Sequence, residues 1–258
     1  MYEFLSNLLK DHKGDIIFQC FGIWHLLFMG IIFAGILGLV FWLRNKSQEM
    51  KDKAINNAIN CAFGLYVLDF FLMPFAYGEI DLEKLPFHIC TVSCVLCFMS
   101  RHNRFLKKYK LQFALLGLVG NIIYVIYPAG VGWYSVAPYS YRVIQTLLYH
   151  GVMTGYGILT LAYDDAKLEW RKCYKELIVI VGITLWALLG NALYNSDARV
   201  FNWFFVVRDP FYILPAEIAP VIMPFVMIFT IFLADVLVYL AYFGIRRLWN
   251  CKMKKGIK

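Results

Sequence analysis

Leu85-Pro86-Phe87-His88-Ile89-Cys90-Thr91-Val92-Ser93-Cys94 is the stretch on which the fold turns. It opens a short apolar run with a proline, and it sets a histidine and a cysteine where lipid or packed helices must surround them. Six further apolar runs flank it. The seven cover approximately 16–43, 54–77, 85–100, 111–127, 143–163, 177–194 and 213–243. A membrane-spanning helix needs about 20 apolar residues, within about 17–25. The third run falls at the short edge of that range and reads as an interior helix. The first and last runs exceed it, so they tilt or continue into the interface. No period of repeat-protein length recurs, and the connections are short. The expected fold is all-α: a polytopic bundle of seven transmembrane helices in a single domain over 1–258.

Composition agrees. The chain is 61% hydrophobic and 16% charged, against roughly 25% charged in soluble domains. Aromatic residues at 18% suit interfacial belts as well as packing. The net charge of +8 would raise nucleic-acid binding in a soluble protein. Here the basic residues sit in short loops between apolar runs, so topology accounts for them and no nucleic-acid partner is expected. Seven cysteines, Cys20, Cys61, Cys90, Cys94, Cys97, Cys173 and Cys251, are an odd number scattered over runs and loops and form no disulfide framework. The first run is too long for a signal-peptide core and has no small-residue cleavage site, so no leader is expected to be removed.

Orientation follows from Lys and Arg near the ends of the runs. Nineteen follow runs one, three, five and seven, among them Arg44, Arg101, Lys110, Lys172 and Arg246. Six, Lys10, Lys13, Lys84, Arg142, Arg199 and Arg208, lie on the other side. This predicts an outer N-terminus and a cytoplasmic C-terminus in a multi-pass protein of the cell membrane. The segment 201–211, with Trp203, Phe204, Phe205 and Phe211, is too short to span and is expected to lie as a loop at the outer interface.

Polar groups in hydrocarbon cost several kcal/mol and so face the bundle interior. Asp69, His88, Cys90, Asn121, Tyr124, Gln145, His150 and Asn191 all fall in the predicted outer half, whereas Gln112 and Asp235 fall in the inner half. Run five is the most ordered: Arg142, Thr146, His150 and Thr154 recur every four residues and share a helix face. His150 lies about 12 Å deeper than Arg142 at 1.5 Å per residue. That stripe reads as the wall of an outward-facing polar cavity. The plainer alternative has the threonines bonding their own backbone and His150 as a packing residue.

Cys90, Cys94 and Cys97 share a face of run three. Soft metals favour such thiolates, but small residues also let helices approach closely, and packing is the better reading; no metal and no cofactor is expected. His88 lies about 200° around a helix from Cys90, so the two do not form a local pair. Cys90 with His150 from run five is geometrically freer. A thiolate is the attacking form, and a neighbouring imidazole takes its proton. Cys90 falls in the first turns after Pro86, a favoured first helical position, where the helix N-terminus favours an anion. Asp69 is the candidate acid of a Cys–His–acid set, with pairing to Arg142 as its plainer role; His88 or Asn121 would then tie helices together. No Gly-x-Ser-x-Gly elbow, His-Glu-x-x-His helix or Gly-rich phosphate loop occurs, and the last run has no lysine for a retinal Schiff base. His88 and His150 as a haem pair rest on little more than their number.

Leu85-Pro86-Phe87-His88-Ile89-Cys90, the His150-Gly151 pair and Asn202-Trp203 before an apolar stretch resemble, in order and spacing, the YwaF-type bacterial integral membrane proteins. That group is similar to vertebrate transmembrane proteins that move acyl chains between phospholipids with a cysteine and a histidine. The resemblance implies Cys90 and His150 as that pair. Thr91 stands where many bacterial members carry an acidic residue, so the resemblance supplies no acid there.

The functional expectation is a lipid acyltransferase or thioesterase acting on membrane lipids. Cys90 attacks an ester carbonyl and His150 serves as base, then acid. Arg142 holds a phosphate headgroup, and Asn121 or Asn191 donates to the oxyanion. His88, Tyr124, Gln145, Thr146 and Asn202 complete the surroundings. The alternative is a transporter or a small-molecule or lipid-binding membrane protein that uses the cavity without covalent chemistry. The sequence does not specify the oligomeric state.

Overall fold

The structure, a computed structural model, describes residues 2–13, 15–132, 134–196 and 199–255, with side chains as far as 247. The side chains of Cys251 and of the C-terminal Lys252, Lys254, Lys255 and Lys258 lie outside those described. Every regular element among the described residues is helical. Nine α-helices follow in order: α1 (Tyr2–Leu9), α2 (Ile23–Leu43), α3 (Gln48–Tyr77), α4 (Ile89–Met99), α5 (Lys110–Ile126), α6 (Ala129–Gly132), α7 (Tyr141–Tyr163), α8 (Tyr174–Tyr194) and α9 (Ala219–Lys255). Five helical segments are long and apolar enough to cross a membrane: Ile23–Leu43, Gln48–Tyr77, Leu106–Gly132, Trp170–Tyr194 and Ala219–Arg247. The chain is a multi-pass membrane protein by that measure. The other two expected runs differ instructively. Run three folds as α4, at 11 residues too short to cross alone. Run five folds as the 23-residue α7, long enough but threaded with polar residues.

The chain forms two compact units, 1–165 and 166–258. In the first, α7 and α5 pack against each other, with α3 and α4 around them. Both central helices are buried on most sides; α7 alone buries Gln145, Thr146, His150, Thr154 and Thr160. That explains how so polar a helix is tolerated: its polar face meets protein rather than lipid. By contrast α2 buries only His25, Ile36 and Leu43 and turns Ile23, Leu26, Leu27, Ile31 and Phe41 outward. An apolar helix with its side chains exposed all round is what lipid requires.

Close approach depends on small residues. A Cβ at Gly157 of α7 would sit 2.6 Å from the Leu118 Cβ of α5, and one at Gly120 of α5 would sit 2.9 Å from the Ile89 side chain of α4. Glycine at both points lets three backbones converge. Helix boundaries follow local chemistry. Ser47 caps α3 by accepting a hydrogen bond from the Met50 N–H at 3.4 Å, which starts that helix ahead of its apolar run. Gly78 ends it in the left-handed conformation, φ 80°.

Before α2 the chain is tied down rather than free. His12 and Phe18 exchange backbone hydrogen bonds with Ala137 and Val136 at 2.8 Å each. Phe18 joins Val131, Val136, Val143 and Leu147 in a small apolar core. In the second unit, α8 packs on α9, and the expected interfacial segment is only partly so. Phe201, Trp203 and Phe204 are buried, whereas Phe211 is exposed. The Asn191 side chain bonds both the N–H and the carbonyl of Trp203 at 3.1 Å, which draws this turn inward. The six described cysteines are all free.

Candidate functional site

Helix α4 begins at Ile89, with His88 as its N-cap in extended conformation (φ −82°, ψ 151°). The helix therefore starts three residues after Pro86 rather than at it. Cys90 remains in the first turn, where backbone N–H groups lack intrahelical partners, and the N–H groups of Cys90 and Thr91 act electrostatically on its thiol. Helical spacing does not apply across the N-cap, so the 200° separation of His88 from Cys90 loses its premise. His88 instead lies within electrostatic reach of His150.

His150 is buried on α7. Its Nδ1 is 2.7 Å from the Asn121 Oδ1 on α5. The Asn121 amide donates to the Gly117 carbonyl at 2.6 Å. That fixes which end of the amide faces the ring: Oδ1 accepts, so Nδ1 carries the proton and Nε2 keeps its lone pair. The imidazole stacks on Tyr124, ring centroids 4.1 Å apart, and meets the Tyr149 ring edge-on at 5.1 Å. Tyr149 in turn donates its hydroxyl to the Cys90 carbonyl at 2.9 Å, and Tyr124 is within electrostatic reach of Cys90. Two tyrosines thus connect the histidine of α7 to the first turn of α4.

Asn121 thus joins α5 to α7 through the imidazole, the helix-tying place expected of it, and its amide donor is bonded to the Gly117 carbonyl. Asp69 does not fill that position. Its Oδ2 takes the Lys84 ammonium at 3.0 Å and its Oδ1 takes the Tyr141 hydroxyl at 2.8 Å. Nor does Asp69 pair with Arg142, which binds Asp11 at 2.8 Å and lies between the rings of Tyr77 and Tyr134, 4.0 and 3.7 Å from their centroids. With its guanidinium committed there, Arg142 is a poor choice for a headgroup ligand. Gln145 and Thr146 are buried and bond one another at 3.4 Å. Thr154 bonds the His150 carbonyl at 2.8 Å, the plainer role foreseen for it. Asn191 and Asn202 belong to the second unit and are structural there. Asn202 accepts from the Val207 and Arg208 N–H groups at 3.1 and 3.0 Å.

Hydropathy and motif spacing do not single out Lys84, Tyr149 or Tyr66. In the sequence Lys84 is a loop charge, yet its ammonium acts on both Cys90 and His150. Tyr66 donates to the Lys84 carbonyl at 3.0 Å and lies 6.3 Å from the Tyr149 ring. The available signal was position: Lys84 stands six residues before Cys90, and Tyr149 is adjacent to His150. His25, fully buried on α2, was also passed over. Its Nδ1 accepts from the Phe21 N–H and its Nε2 donates to the Val125 carbonyl, both at 2.9 Å, so it joins α2 to α5 and has no ring nitrogen left for chemistry. No cluster of three or more metal-ligating side chains occurs among the described residues.

A family model matches residues 20–243. The chain belongs to the TMEM164 family. The match takes in every residue of the Cys90–His150 neighbourhood except Asp11, so this TMEM164-family chain carries the site within its family region rather than in an appendage. No curated protein and no solved structure matches it.

Proposed function

We propose that this protein is a seven-span membrane enzyme of cysteine-dependent acyl transfer, its N-terminus outside and its C-terminus in the cytoplasm of a cell that holds it in the plasma membrane. The carrying observation is the orientation of His150. Asn121 accepts a hydrogen bond from its Nδ1–H and Tyr124 stacks on its ring, which leaves Nε2 as the base. Cys90 opens α4, and its carbonyl accepts the hydroxyl of Tyr149, the residue before His150. The arrangement matches the Cys–His–Asn logic of thiol acyl transfer, in which the amide holds the histidine tautomer. The excess of Lys and Arg after alternate runs supports the orientation.

In the reaction, the Cys90 thiol gives its proton to His150 and its sulfur attacks a lipid ester carbonyl. The C–O bond breaks, the leaving alcohol takes the proton from His150, and a thioester remains on Cys90. A second lipid hydroxyl, or water in a thioesterase, then reverses the sequence. Lys84, the cation nearest this chemistry by its effect on both groups, favours negative charge on sulfur and on the carbonyl oxygen.

The test is chemical. The full chain in phospholipid vesicles is expected to form an acyl-enzyme visible by intact mass and released by hydroxylamine. Cys90→Ser abolishes it and the associated lipid turnover. Full turnover by Cys90→Ser overturns the reading, and solute uptake that ignores the substitution points to a transporter instead.

A further inference from the structure

The second unit buries two carboxyl groups that the proposed chemistry does not use. Glu176, near the start of α8, is 1% exposed and accepts the Tyr239 hydroxyl of α9 at 2.8 Å. Asp235 lies one turn before Tyr239 on the same face of α9. It too is 1% exposed, and neither of its carboxyl oxygens has a hydrogen-bond partner. The two carboxyl groups act on each other electrostatically, and Cys173 feels both. The Trp170 ring, 5.1 Å from that of Tyr239, packs against the cluster.

An ionised carboxylate in an apolar setting without partners costs several kcal/mol. A second one beside it adds repulsion undiminished by water. Asp235 sits well inside the span Ala219–Arg247, beyond the reach of bulk solvent. Neither Asp235 oxygen has a hydrogen-bond partner, and the acid lies one helical turn from the Tyr239 hydroxyl that Glu176 accepts, so a cation or proton at Asp235 would meet oxygens from both helices. The donors are all hard oxygens: two carboxyls and a phenol. Among the described residues no group of three or more metal-ligating side chains occurs that would hold a divalent ion, and one unit of positive charge suffices to remove the repulsion.

We propose that Asp235, Glu176 and Tyr239 form an intramembrane binding site for a small hard monovalent cation, a proton or a sodium ion. The site is separate from the Cys90–His150 chemistry and does not depend on that reading. Binding draws α8 and α9 together, because the carboxyls come from different helices.

An apolar carbodiimide tests this. Such a reagent adds across a carboxylic acid in a lipid-embedded site and leaves a covalent adduct. In the full chain in phospholipid vesicles, an adduct is expected on Asp235 or Glu176 by peptide mass. It should increase several-fold from mildly alkaline to mildly acidic buffer. At fixed alkaline pH, replacing choline by sodium at matched ionic strength distinguishes the two cations: several-fold protection identifies sodium, and no protection identifies the proton. Asp235→Asn should lose any adduct at position 235, and Asp235→Asn/Glu176→Gln should lose the adduct altogether, both keeping the wild-type circular dichroism spectrum. Thermal unfolding supplies a second measurement, with Tm rising on acidification or with sodium in the wild type and flat in Asp235→Asn. Absence of any adduct at either pH, or an undiminished adduct in the Asp235→Asn/Glu176→Gln variant, overturns the proposal.

Discussion

Asn121 Oδ1 lies 2.7 Å from His150 Nδ1, and the other end of the Asn121 amide is anchored 2.6 Å from the Gly117 carbonyl. The imidazole therefore cannot turn over without breaking its bond to Asn121, and the amide cannot flip to follow it without losing Gly117. Asn121→Ala frees the ring and leaves Nδ1 unpaired. Acyl-transfer turnover should fall by about 10- to 100-fold, short of the loss in His150→Ala, because general base catalysis itself contributes about 10²–10⁴-fold. The measurement is single-turnover formation of the acyl-enzyme on Cys90. An Asn121→Ala variant that acylates at the wild-type rate rules out an orienting role.

The same relationship shows what the sequence could and could not disclose. The histidine and cysteine were legible because buried polar residues in apolar runs are few, and both stood out at comparable depth. The side chain that faces His150 does not stand out in that way. Asp69 was the chemically obvious partner, but its two oxygens are consumed by Lys84 and Tyr141, and those contacts bridge residues 15 and 72 positions apart in the chain. Asn121 was visible as a polar residue but not as a hydrogen-bond acceptor aimed at α7, since that depends on how α5 and α7 cross at Gly157. The all-helical class and most run boundaries followed from hydropathy. The N-cap at His88 did not, and it undid the helical-wheel separation from Cys90. Neither did the burial of Trp203, which rests on one asparagine of α8.

Tyr149 ties the two halves of the site together through its hydroxyl, 2.9 Å from the Cys90 carbonyl. Tyr149→Phe keeps the ring against His150 and removes that bond together with the hydroxyl's contact with the Cys94 sulfur. Global stability should drop by about 1 kcal/mol, the usual net worth of one hydrogen bond. The accessibility of Cys90 to a maleimide should rise, because the first turn of α4 loses its lateral tether. Thermal unfolding and labelling rate check the two effects separately. Unchanged labelling would show that the tether does not hold the turn.

Asp69 and Lys84 make a part-buried pair, with the carboxylate side chain 3% and the lysine 25% exposed. Removing only the acid leaves Lys84 and the Tyr141 hydroxyl without their partner. Asp69→Ala should destabilise by about 2–3 kcal/mol, toward the lower end for a broken buried pair because Lys84 reaches solvent. Asp69→Ala/Lys84→Met should recover a substantial part of that loss. A double-mutant cycle on denaturation in detergent measures the coupling; strict additivity of the two single variants would contradict a direct pair.

Gly157 allows α7 to touch α5, as its added Cβ would fall 2.6 Å from that of Leu118. Gly157→Val forces the helices apart or bends one of them. The expected cost is about 1–3 kcal/mol, the range for overpacking. Turnover should fall as well, because Asn121 and His150 are carried by the same two helices. Leu118→Gly removes the facing Cβ and should restore part of both losses in the Gly157→Val background. No rescue would mean that the clash is relieved elsewhere.

Asp209 offers a pH-dependent feature outside the spans. Its Oδ1 accepts from the Phe211 N–H at 2.8 Å, and its Oδ2 from those of Ile213 and Leu214 at 2.7 and 2.9 Å. These backbone donors favour the ionised form and hold its carboxyl below the usual carboxylate range. A group whose folded-state value is depressed contributes order above its unfolded value and loses it as pH falls through the folded one. The turn 209–214 should therefore stay closed at neutral pH and loosen only below the ordinary carboxylate range. Amide hydrogen exchange of Ile213 and Leu214, corrected for intrinsic acid dependence, should lose protection there. Asp209→Asn should show the loosened exchange at neutral pH, with no further change on acidification, because a neutral amide accepts less strongly and does not titrate. Protection that persists in the asparagine variant would assign the turn's order to Pro210 and the chain around it instead.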